Sequence, residues 1–475
     1  MFMTLFDETA AISAQIAELS SEQIFGRVNR VQGLMVEIAG LGDMAAIGTR
    51  LALRPRDSAE IPCEIVGFRD TLALAMPFRP LEGVGPGTKA ILCPEASRIA
   101  PSSAWLGRVV NGLGQPIDGL GPLVPGDHPK PFRNTPPPAH QRQRMGTRLD
   151  TGVRAVNTFT TLCRGQRMGI FAGSGVGKSV LMSMMARYSA ADVAVIGLVG
   201  ERGREVQEFL EDDLGEDGLK RAVVVVSTSD EAPLMRRQAA YTTLALAEYY
   251  RDQGHQVLCM MDSVTRFAMS QREIGLSVGE PPTTKGYPPT TFSELARLLE
   301  RAGPGPKHSP YGPDAAVPGS ITGIFTVLVE GDDHNEPVSD AVRGIVDGHI
   351  VMQRSIADRG RFPAINVLKS ISRAMPNCLN EDEVQPLRTA RELLSTYDDM
   401  AELIRLGAYR KGSDPKVDLA IEKQGPLEDF LGQDMNERTD MKDSFDRLKT
   451  IVGDAGASGS TAKQRAKVTG GDGKA

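Results

Sequence analysis

Cysteine is scarce in this sequence, and the few cysteines follow no ligand pattern. Five are scattered through the 475 residues, without the paired spacing that metal sites need: Cys63, Cys93, Cys163, Cys259 and Cys378. Cys259 lies inside an apolar run, and we expect it to be a small buried hydrophobic residue. An odd and unclustered set is typical of a chain that stays in a reducing compartment.

Long apolar runs and an excess of positive charge are missing as well. No apolar run approaches the roughly 18 residues that a membrane-spanning helix needs, and the amino terminus lacks the basic segment and apolar core of a signal peptide. The formal net charge is −6, so no overall basic field attracts nucleic acid. We therefore expect a cytoplasmic protein without a nucleic-acid partner and with peripheral membrane contact at most.

Two patterns of apolar residues predict the architecture. From residue 24 to 97, short β-like runs alternate with glycines, which is typical of a small barrel. From Arg167 onward, near-continuous apolar runs alternate with helical stretches, as expected for parallel strands that are buried on both faces. These runs are Asp192–Val199, Ala222–Ser227, Gln256–Asp262 and Ile321–Val329. The sequence therefore predicts an α/β fold with a doubly wound core.

The two ends of the chain differ from this core. Residues 2–19 carry apolar side chains at mainly helical spacing, and two interpretations stay open: a helix packed on its own domain, or an amphipathic helix that docks on a partner. After Pro376 the pattern is helical, and the last residues are rich in glycine, serine, alanine and lysine, which indicates a disordered tail. We predict segments 1–23 (helix), 24–97 (barrel), 98–380 (α/β core), 381–450 (helical domain) and 451–475 (tail).

The most informative motif is Ala172-Gly-Ser-Gly-Val-Gly-Lys-Ser179, which lies between the apolar run Met168–Phe171 and the helical stretch Val180–Arg187. In such a turn the backbone N–H groups converge on an anion, and the helix N-terminus adds partial positive charge. Lys178 would reach the β- and γ-phosphates, and the Ser179 hydroxyl would bind Mg²⁺. A turn that merely links strand and helix is the alternative, which Ala172 favours because the general pattern begins with glycine.

We interpret the motif as a site for a nucleoside triphosphate. The residues predicted to hold it are Gly173, Ser174, Gly175, Val176, Gly177, Lys178, Ser179 and Val180.

Charged residues that follow two buried strands are candidates for the chemistry. Asp262 ends one apolar strand, where a carboxylate holds the water shell of Mg²⁺; the alternative is a helix cap. Glu201 follows another strand and would orient the attacking water, because parallel strands present their carboxyl ends to a shared crevice. Arg202 is a candidate phosphate contact. A solvated charge run is the alternative for Glu201 and Arg202.

Arg373, in Ser370-Ile-Ser-Arg373, is a candidate for stabilising charge on the γ-phosphate. Such an arginine can come from a neighbouring subunit. The residue pattern alone does not distinguish Arg373 from an ordinary surface arginine.

Seven ordered motifs carry a resemblance to a known family. They are the phosphate loop, Gly107-Arg-Val-Val-Asn-Gly-Leu-Gly-Gln-Pro-Ile-Asp-Gly, Gly200-Glu-Arg-Gly-Arg-Glu-Val, Met261-Asp-Ser-Val-Thr-Arg-Phe-Ala, Gly279-Glu-Pro-Pro-Thr-Thr-Lys-Gly-Tyr-Pro-Pro, Leu328-Val-Glu-Gly-Asp-Asp-His-Asn-Glu-Pro-Val and Pro363-Ala-Ile-Asn-Val-Leu-Lys-Ser-Ile-Ser-Arg. Through them, residues 24 to 440 resemble the catalytic subunits of rotary ATP synthases, and more closely the flagellum-specific protein-export ATPases and their relatives in type III secretion.

The resemblance implies a fold and an activity. The fold is a RecA-like doubly wound nucleotide-binding core with a small N-terminal β-barrel domain and a C-terminal helical domain. The activity is hydrolysis of ATP with Mg²⁺, which energises export of flagellar subunits. Alanine is common in this family at the position of Ala172, so its presence there agrees with a phosphate loop.

The resemblance also implies a role for each site residue. Lys178 matches the phosphate lysine and Ser179 the magnesium ligand. Glu201 matches the carboxylate that activates water, and Asp262 the strand-end aspartate. Other matching positions are Arg202 (phosphate contact), Arg266 (near the γ-phosphate), Arg373 (arginine finger from the adjacent subunit), Phe362 (stacked on adenine) and residues 274–289 (facing the pore of a ring).

One inference concerns assembly. In a rotary headpiece the water-activating glutamate and the finger arginine belong to different kinds of subunit, whereas this chain carries both Glu201 and Arg373. We therefore predict a homohexamer with shared active sites. The resemblance implies further partners: a dimeric regulator or tether on the N-terminal helix, a coiled-coil stalk at the ring centre, and export chaperone–substrate complexes. The expected location is peripheral, at the cytoplasmic face of the export apparatus.

Four alternatives were weighed. The same enzyme in a virulence injectisome is the nearest, and the sequence around residues 279–302 and 358–376 favours the flagellar system. A catalytic subunit of a proton-translocating ATP synthase fits less well, because the N-terminal helix and the run from Gly286 resemble the export family. A non-catalytic subunit should lack Glu201. An RNA-dependent helicase needs a basic or aromatic platform, which residues 24–97 do not show.

Overall fold

The structure is a computed structural model that describes residues 23–312, 316–329 and 336–453. The chain divides into two compact units. The first runs to Arg98 and includes Ala232–Leu234 and Glu273–Pro281, and the second contains the remainder. The predicted helix over residues 2–19 and the tail after residue 453 lie outside the described residues.

The first unit contains a closed antiparallel barrel of six strands in the order β1-β2-β5-β4-β3-β6. Alternate residues point inward, as a two-residue period requires, so that Val36, Ile38, Leu51 and Leu53 are buried in its interior. The predicted N-terminal barrel is therefore confirmed. Its strands are β1 (Phe25–Gln32), β2 (Met35–Ala39), β3 (Arg50–Arg54), β4 (Ile61–Arg69), β5 (Leu72–Pro77) and β6 (Lys89–Leu92).

The second unit is built on a nine-stranded sheet in the order β19-β18-β12-β17-β15-β13-β14-β8, with β16 paired to β17. All pairs are parallel except β18 with β19 and β16 with β17. The remaining strands are β7 (Arg98–Ile99), β8 (Val109–Asn111), β9 (Lys130–Pro131), β10 (Arg148–Leu149), β11 (Leu162–Cys163), β12 (Arg167–Ala172), β13 (Val193–Glu201), β14 (Ala222–Thr228), β15 (Gln256–Asp262), β16 (Gly303–Pro304), β17 (Ser320–Leu328), β18 (Gly348–Met352) and β19 (Ile365–Ser372).

Helices cover both faces of this sheet, and each face has its own apolar cluster. The doubly wound α/β prediction is thus confirmed. The helices are α1 (Arg154–Phe159), α2 (Lys178–Tyr188), α3 (Gly203–Glu208), α4 (Gly215–Leu219), α5 (Pro233–Asp252), α6 (Val264–Val278), α7 (Pro289–Glu300), α8 (Pro337–Ile345), α9 (Arg354–Ala357), α10 (Glu381–Arg405), α11 (Pro415–Leu431) and α12 (441–453). A π-helical turn, Phe209–Leu214, joins α3 to α4.

The C-terminal helices pack on one face of the core. Helix α10 begins with a capping box, in which the Asn380 and Glu383 side chains each bond to the other's backbone. The Arg154 guanidinium at the start of α1 donates to the Phe430 carbonyl (3.0 Å) and to Thr439 Oγ1 (3.0 Å) beyond the end of α11. The C-terminal helical part of the predicted fold is therefore also confirmed.

None of the helices within the described ranges is both long and apolar enough to span a bilayer.

Candidate active site

The strand order brings three segments of the chain together at the carboxyl ends of the central strands. Strand β17 lies between β12 and β15, and β13 follows β15. The register pairs Ala172 with Leu328 and Leu198 with Asp262, so these strands end at similar heights. Because these strands are parallel, the phosphate loop, Asp262 and Glu201 all lie at their carboxyl ends, which is where ligands bind in open α/β sheets.

The phosphate loop has the backbone that its glycines allow. Gly175 and Gly177 have φ values of +71° and +85°, a region that other residues rarely adopt, and Gly177 caps the N-terminus of α2. The Val176 side chain is buried beneath the loop. The Arg354 guanidinium donates to the Ser174 carbonyl at 2.7 Å and so fastens the loop to the start of α9.

Phe362 lies beside this loop. A Cβ on Gly177 would be 3.3 Å from the Phe362 ring, so the ring contacts the loop directly. Its side chain is 47% exposed, which leaves a ring face free for stacking. An open groove of about 1040 Å³ adjoins it, lined by residues that include Phe362, Tyr397 and Gln433.

Lys178 joins the loop to both carboxylates. Its Nζ is 2.5 Å from Asp262 Oδ1 and 3.6 Å from Glu201 Oε1. Burial by itself lowers the pKa of Lys178, but the charges of Asp262 and Glu201 outweigh it and raise that pKa, so the ammonium form is stabilised. The lysine therefore stays charged and is available to phosphate oxygens.

Glu201 is held in an unfavourable setting for a carboxylate. Burial, followed by repulsion from Asp262, raises the pKa of Glu201 to about 7, although Lys178 opposes the shift. Its Oε1 is buried and accepts no hydrogen bond from the described residues. A carboxylate with a pKa near neutrality, whose buried oxygen has only the Lys178 ammonium at 3.6 Å as a charged partner, suits a group that takes a proton from water.

Arg266 approaches the same edge from α6. A Cβ on Gly200 would lie 2.9 Å from Arg266 Cβ and 3.0 Å from its Cγ, so the arginine stem rests against the end of β13. Gly200 also has a φ of +74°. In the sequence Gly200 stands out only as part of a motif, and nothing in that motif predicts its close approach to Arg266.

Arg202 is not brought to the site. Its side chain is 77% exposed and pairs with Glu205 at 3.4 Å. It begins the turn into α3, so its guanidinium lies in solvent rather than beside Lys178.

Arg373 lies near the amino-terminal end of β12, away from the carboxyl ends of the central strands. Its N–H donates to the Asp347 carbonyl, and the Asp347 carboxylate accepts from the backbone N–H of Arg167, the first residue of β12. The phosphate loop follows Ala172 at the other end of that strand, five residues on, which at 3.3 Å per residue is roughly 17 Å away. Arg373 is exposed there. The fold therefore separates it from the phosphate loop of its own chain.

The oxygen donors suit Mg²⁺. Ser179 offers a hydroxyl in the first turn of α2, and Asp262 offers a carboxylate at the end of β15; both are hard ligands of the kind that this ion prefers. In the described residues no group of three or more His, Cys, Asp or Glu side chains forms a metal cluster.

Comparison with known proteins identifies the family. The profile of the ATP synthase alpha/beta family, nucleotide-binding domain, matches residues 152–372, and that of the T3SS EscN ATPase C-terminal domain matches residues 379–450. The chain is 58% identical to the flagellum-specific ATP synthase of Caulobacter vibrioides, covering 93% of this chain and 99% of that protein. It is 43% identical to the type 3 secretion system ATPase of Xanthomonas euvesicatoria, covering 94% and 98%.

A solved structure agrees. The assembled ATPase EscN of an enteropathogenic E. coli type III secretion system superposes with a TM-score of 0.80 at 36% identity, covering 90% of this chain and 100% of that chain. Fold and relatives together define a nucleotide-binding ATPase of the ATP synthase α/β type. More narrowly, the chain belongs to the family of flagellum-specific ATP synthases, which are ATPases of type III protein export.

Proposed function

We propose that this ATPase works with Mg²⁺ as a homohexameric ring that energises export of flagellar subunits. Each active site would combine Lys178, Glu201 and Asp262 of one copy with Arg373 of the next. The observation that carries the proposal is the position of Arg373, roughly 17 Å along β12 from its own phosphate loop. A finger arginine so placed is useful only to a neighbouring copy.

The residues of one copy would act as follows. The loop amides and Lys178 would bind the phosphates, Phe362 would stack on adenine, and Arg266 would lie near the γ-phosphate. Ser179, with Asp262 acting through water, would hold Mg²⁺, which neutralises charge on the β- and γ-phosphates when bound.

Glu201 would take a proton from the attacking water. Lys178 Nζ lies 3.6 Å from the Glu201 carboxylate and closer still to Asp262. When Lys178 shifts to phosphate oxygens, the Glu201 carboxylate stays buried but no longer has the ammonium close to it. Its pKa then rises further, which makes it a stronger base. Arg202 would reach phosphate only by turning away from Glu205.

Relatives support the assembly and its partners. EscN has been solved both as an assembled ATPase and in complex with its central stalk EscO. By analogy, this chain would bind a coiled-coil stalk protein at the ring centre, with residues 274–289 facing the pore. A tether on residues 2–19, chaperone–substrate complexes on the C-terminal helices and a peripheral site on the export apparatus complete the proposal.

The flagellar assignment rests on degree of similarity. Flagellum-specific relatives range from 41% to 58% identity, and the 58% match exceeds the 43% of the type 3 secretion system ATPase of Xanthomonas euvesicatoria. Export in a virulence injectisome is the second candidate, supported by the EscN match. Deletion of the gene would decide between them: loss of filament assembly supports the flagellar role, and intact motility contradicts it.

The ring is tested by dilution. Specific ATPase activity per subunit and particle mass are measured on the same samples, with and without Mg²⁺. We expect activity to fall as hexamers dissociate and to vanish in EDTA. Equal turnover in samples that contain only monomers would contradict shared sites.

The tether is tested separately by deletion of residues 2–19. We expect the truncated protein to keep its basal ATPase activity and to lose co-purification with the tether. An unchanged pull-down would contradict docking through this segment.

A further inference from the structure

Thr326 lies next to Asp262 in the site, and the sequence motifs assign it no role. It belongs to β17, the strand between β12, which leads into the phosphate loop, and β15, which ends at Asp262. The register pairs Thr326 with Ile170 on one side and places it next to Asp262 on the other, since Phe325 pairs with Met261. Its side chain is fully buried.

The Thr326 hydroxyl is bonded to the strand-end carboxylate. Its Oγ1 donates to Asp262 Oδ1 at 2.6 Å, and the Met261 carbonyl is a weaker acceptor at 3.3 Å. Lys178 Nζ bonds to the same Oδ1 at 2.5 Å. Both donors therefore bond to the same oxygen, Oδ1, and orient the carboxylate through it.

The two donors differ in permanence. Lys178 is a flexible side chain whose ammonium is the phosphate ligand of the proposed function, so it leaves Asp262 when nucleotide binds. Thr326 is β-branched, buried in a central strand and cannot follow. After the lysine has moved, the threonine hydroxyl is the donor that still orients Asp262.

We propose that Thr326 is a positioning residue for Asp262: it holds Oδ1 through nucleotide binding and so keeps Oδ2 turned toward the water shell of the metal. This inference rests on the proposed function, because it assigns Asp262 to Mg²⁺. A hydrogen bond that orients such a carboxylate governs metal affinity, and its loss typically costs 10–100-fold.

A purely structural role predicts something different. Threonine and valine have nearly the same shape, and both favour central strands. If Thr326 served only to fill space, Thr326→Val would leave the metal requirement unchanged. If its hydroxyl positions Asp262, Thr326→Val would weaken Mg²⁺-dependent binding, and Thr326→Ser, which keeps the hydroxyl, would restore it.

The matched control lies on the same strand. Thr322 is also buried, four residues earlier and therefore on the same face of β17, and its Oγ1 accepts a hydrogen bond from the Gly165 N–H. Thr322→Val makes the identical chemical change near the amino-terminal end of β17, away from Asp262. It reports the cost of replacing a buried threonine without touching Asp262.

The experiment measures binding, not turnover. Anisotropy of a fluorescent N-methylanthraniloyl ATP analogue is followed for the full-length protein as free Mg²⁺ is raised from an EDTA buffer, with thermal unfolding as a folding check. For Thr326→Val we expect the Mg²⁺ midpoint to rise about 10–100-fold, with analogue affinity in EDTA little changed. Thr326→Ser and Thr322→Val should keep the wild-type midpoint.

The wild type tests the proposed function, and the variants test the positioning role of Thr326. If the wild type itself shows no Mg²⁺ dependence, the proposed function fails. If the wild type shows it but Thr326→Val has the same midpoint, or if Thr322→Val shifts it equally, the positioning role of Thr326 is wrong and the proposed function stands.

Discussion

Lys178 is bonded to one acidic residue and close to a second, with its Nζ 2.5 Å from Asp262 Oδ1 and 3.6 Å from Glu201 Oε1. Three charged side chains in a buried site are costly unless they compensate one another. Here one ammonium stabilises two carboxylates, and Glu201 is the poorly stabilised member, with a pKa of about 7. The site therefore contains a carboxylate, that of Glu201, which can accept a proton near neutral pH.

The shifted pKa of Glu201 predicts a pH-dependent stability in the absence of nucleotide. Between about pH 4.5 and pH 7 the folded protein binds more protons at Glu201 than the unfolded chain does, so stability falls as pH rises through this window. Glu201→Gln removes this term. We expect the variant to gain up to about 3 kcal/mol over wild type by pH 7.5 and little at pH 4.5.

Thermal unfolding of both proteins across this pH range measures the effect. Glu422→Gln, at a carboxylate that is 70% exposed, is the control and should show a flat difference. A Glu201→Gln difference that is equally flat would contradict the raised pKa.

At the residue scale the sequence predicted much of the site. The positions of Lys178, Ser179, Glu201 and Asp262 could be predicted because each lies at the end of a buried strand or just after a glycine turn; their roles remain predictions. Thr326 was missed because a threonine inside an apolar strand looks like an ordinary β-branched residue. Only the register of β17 against β15 shows that its hydroxyl meets Asp262.

At the element scale, the end of β13 depends on a glycine. Gly200→Ala places a methyl group 2.9 Å from Arg266 Cβ at a φ of +74°, so the backbone or the arginine must move. We expect a loss of about 1–3 kcal/mol in stability. ATPase activity should fall on the order of 10–100-fold, because small misplacements at a reacting centre are costly.

The control for Gly200→Ala lies three residues on. Gly203 opens α3, and a Cβ there meets nothing within 4 Å. Gly203→Ala should leave activity and melting temperature near wild type. Equal losses in both variants would show that the segment tolerates no substitution and that the Arg266 contact is not the cause.

The pattern of apolar residues predicted which strands and helices form, but it did not predict the shortest elements or the strand order. The buried parallel strands were predicted because their apolar runs are near-continuous. The three-residue β8 and the π-helical turn Phe209–Leu214 carry no comparable signal, since so few residues show no period. Strand order, which brings the site together, depends on long-range pairing and was only an expectation from fold class.

At the scale of the whole molecule, Arg154 ties the C-terminal helices to the nucleotide-binding core. It is 5% exposed and bonds to Phe430, Thr439 and Glu437. Arg154→Met leaves the Phe430 carbonyl and Thr439 without this donor, whereas Glu437 keeps its pair with Arg447, and we expect a loss of about 1–3 kcal/mol. Arg388→Met, at a 71% exposed pair, should cost no more than about 0.5 kcal/mol.

Chemical denaturation of both variants checks this prediction. Losses of similar size would show that the buried Arg154 network does not stabilise the packing of the C-terminal helices. The segment boundaries predicted from sequence remain predictions, and α12 continues to residue 453.

The separation of Arg373 from its own phosphate loop makes shared active sites the central claim. The most direct measurement is the Mg²⁺-ATPase activity of Glu201→Gln, of Arg373→Ala and of rings that contain both. Each variant alone should lose most turnover, since a finger arginine is worth on the order of 10³–10⁵ in rate. In a random one-to-one mixture, about a quarter of interfaces pair an intact Glu201 with an intact Arg373 if sites are shared. Activity recovered toward that fraction is the predicted result; no recovery in confirmed mixed rings would contradict the account.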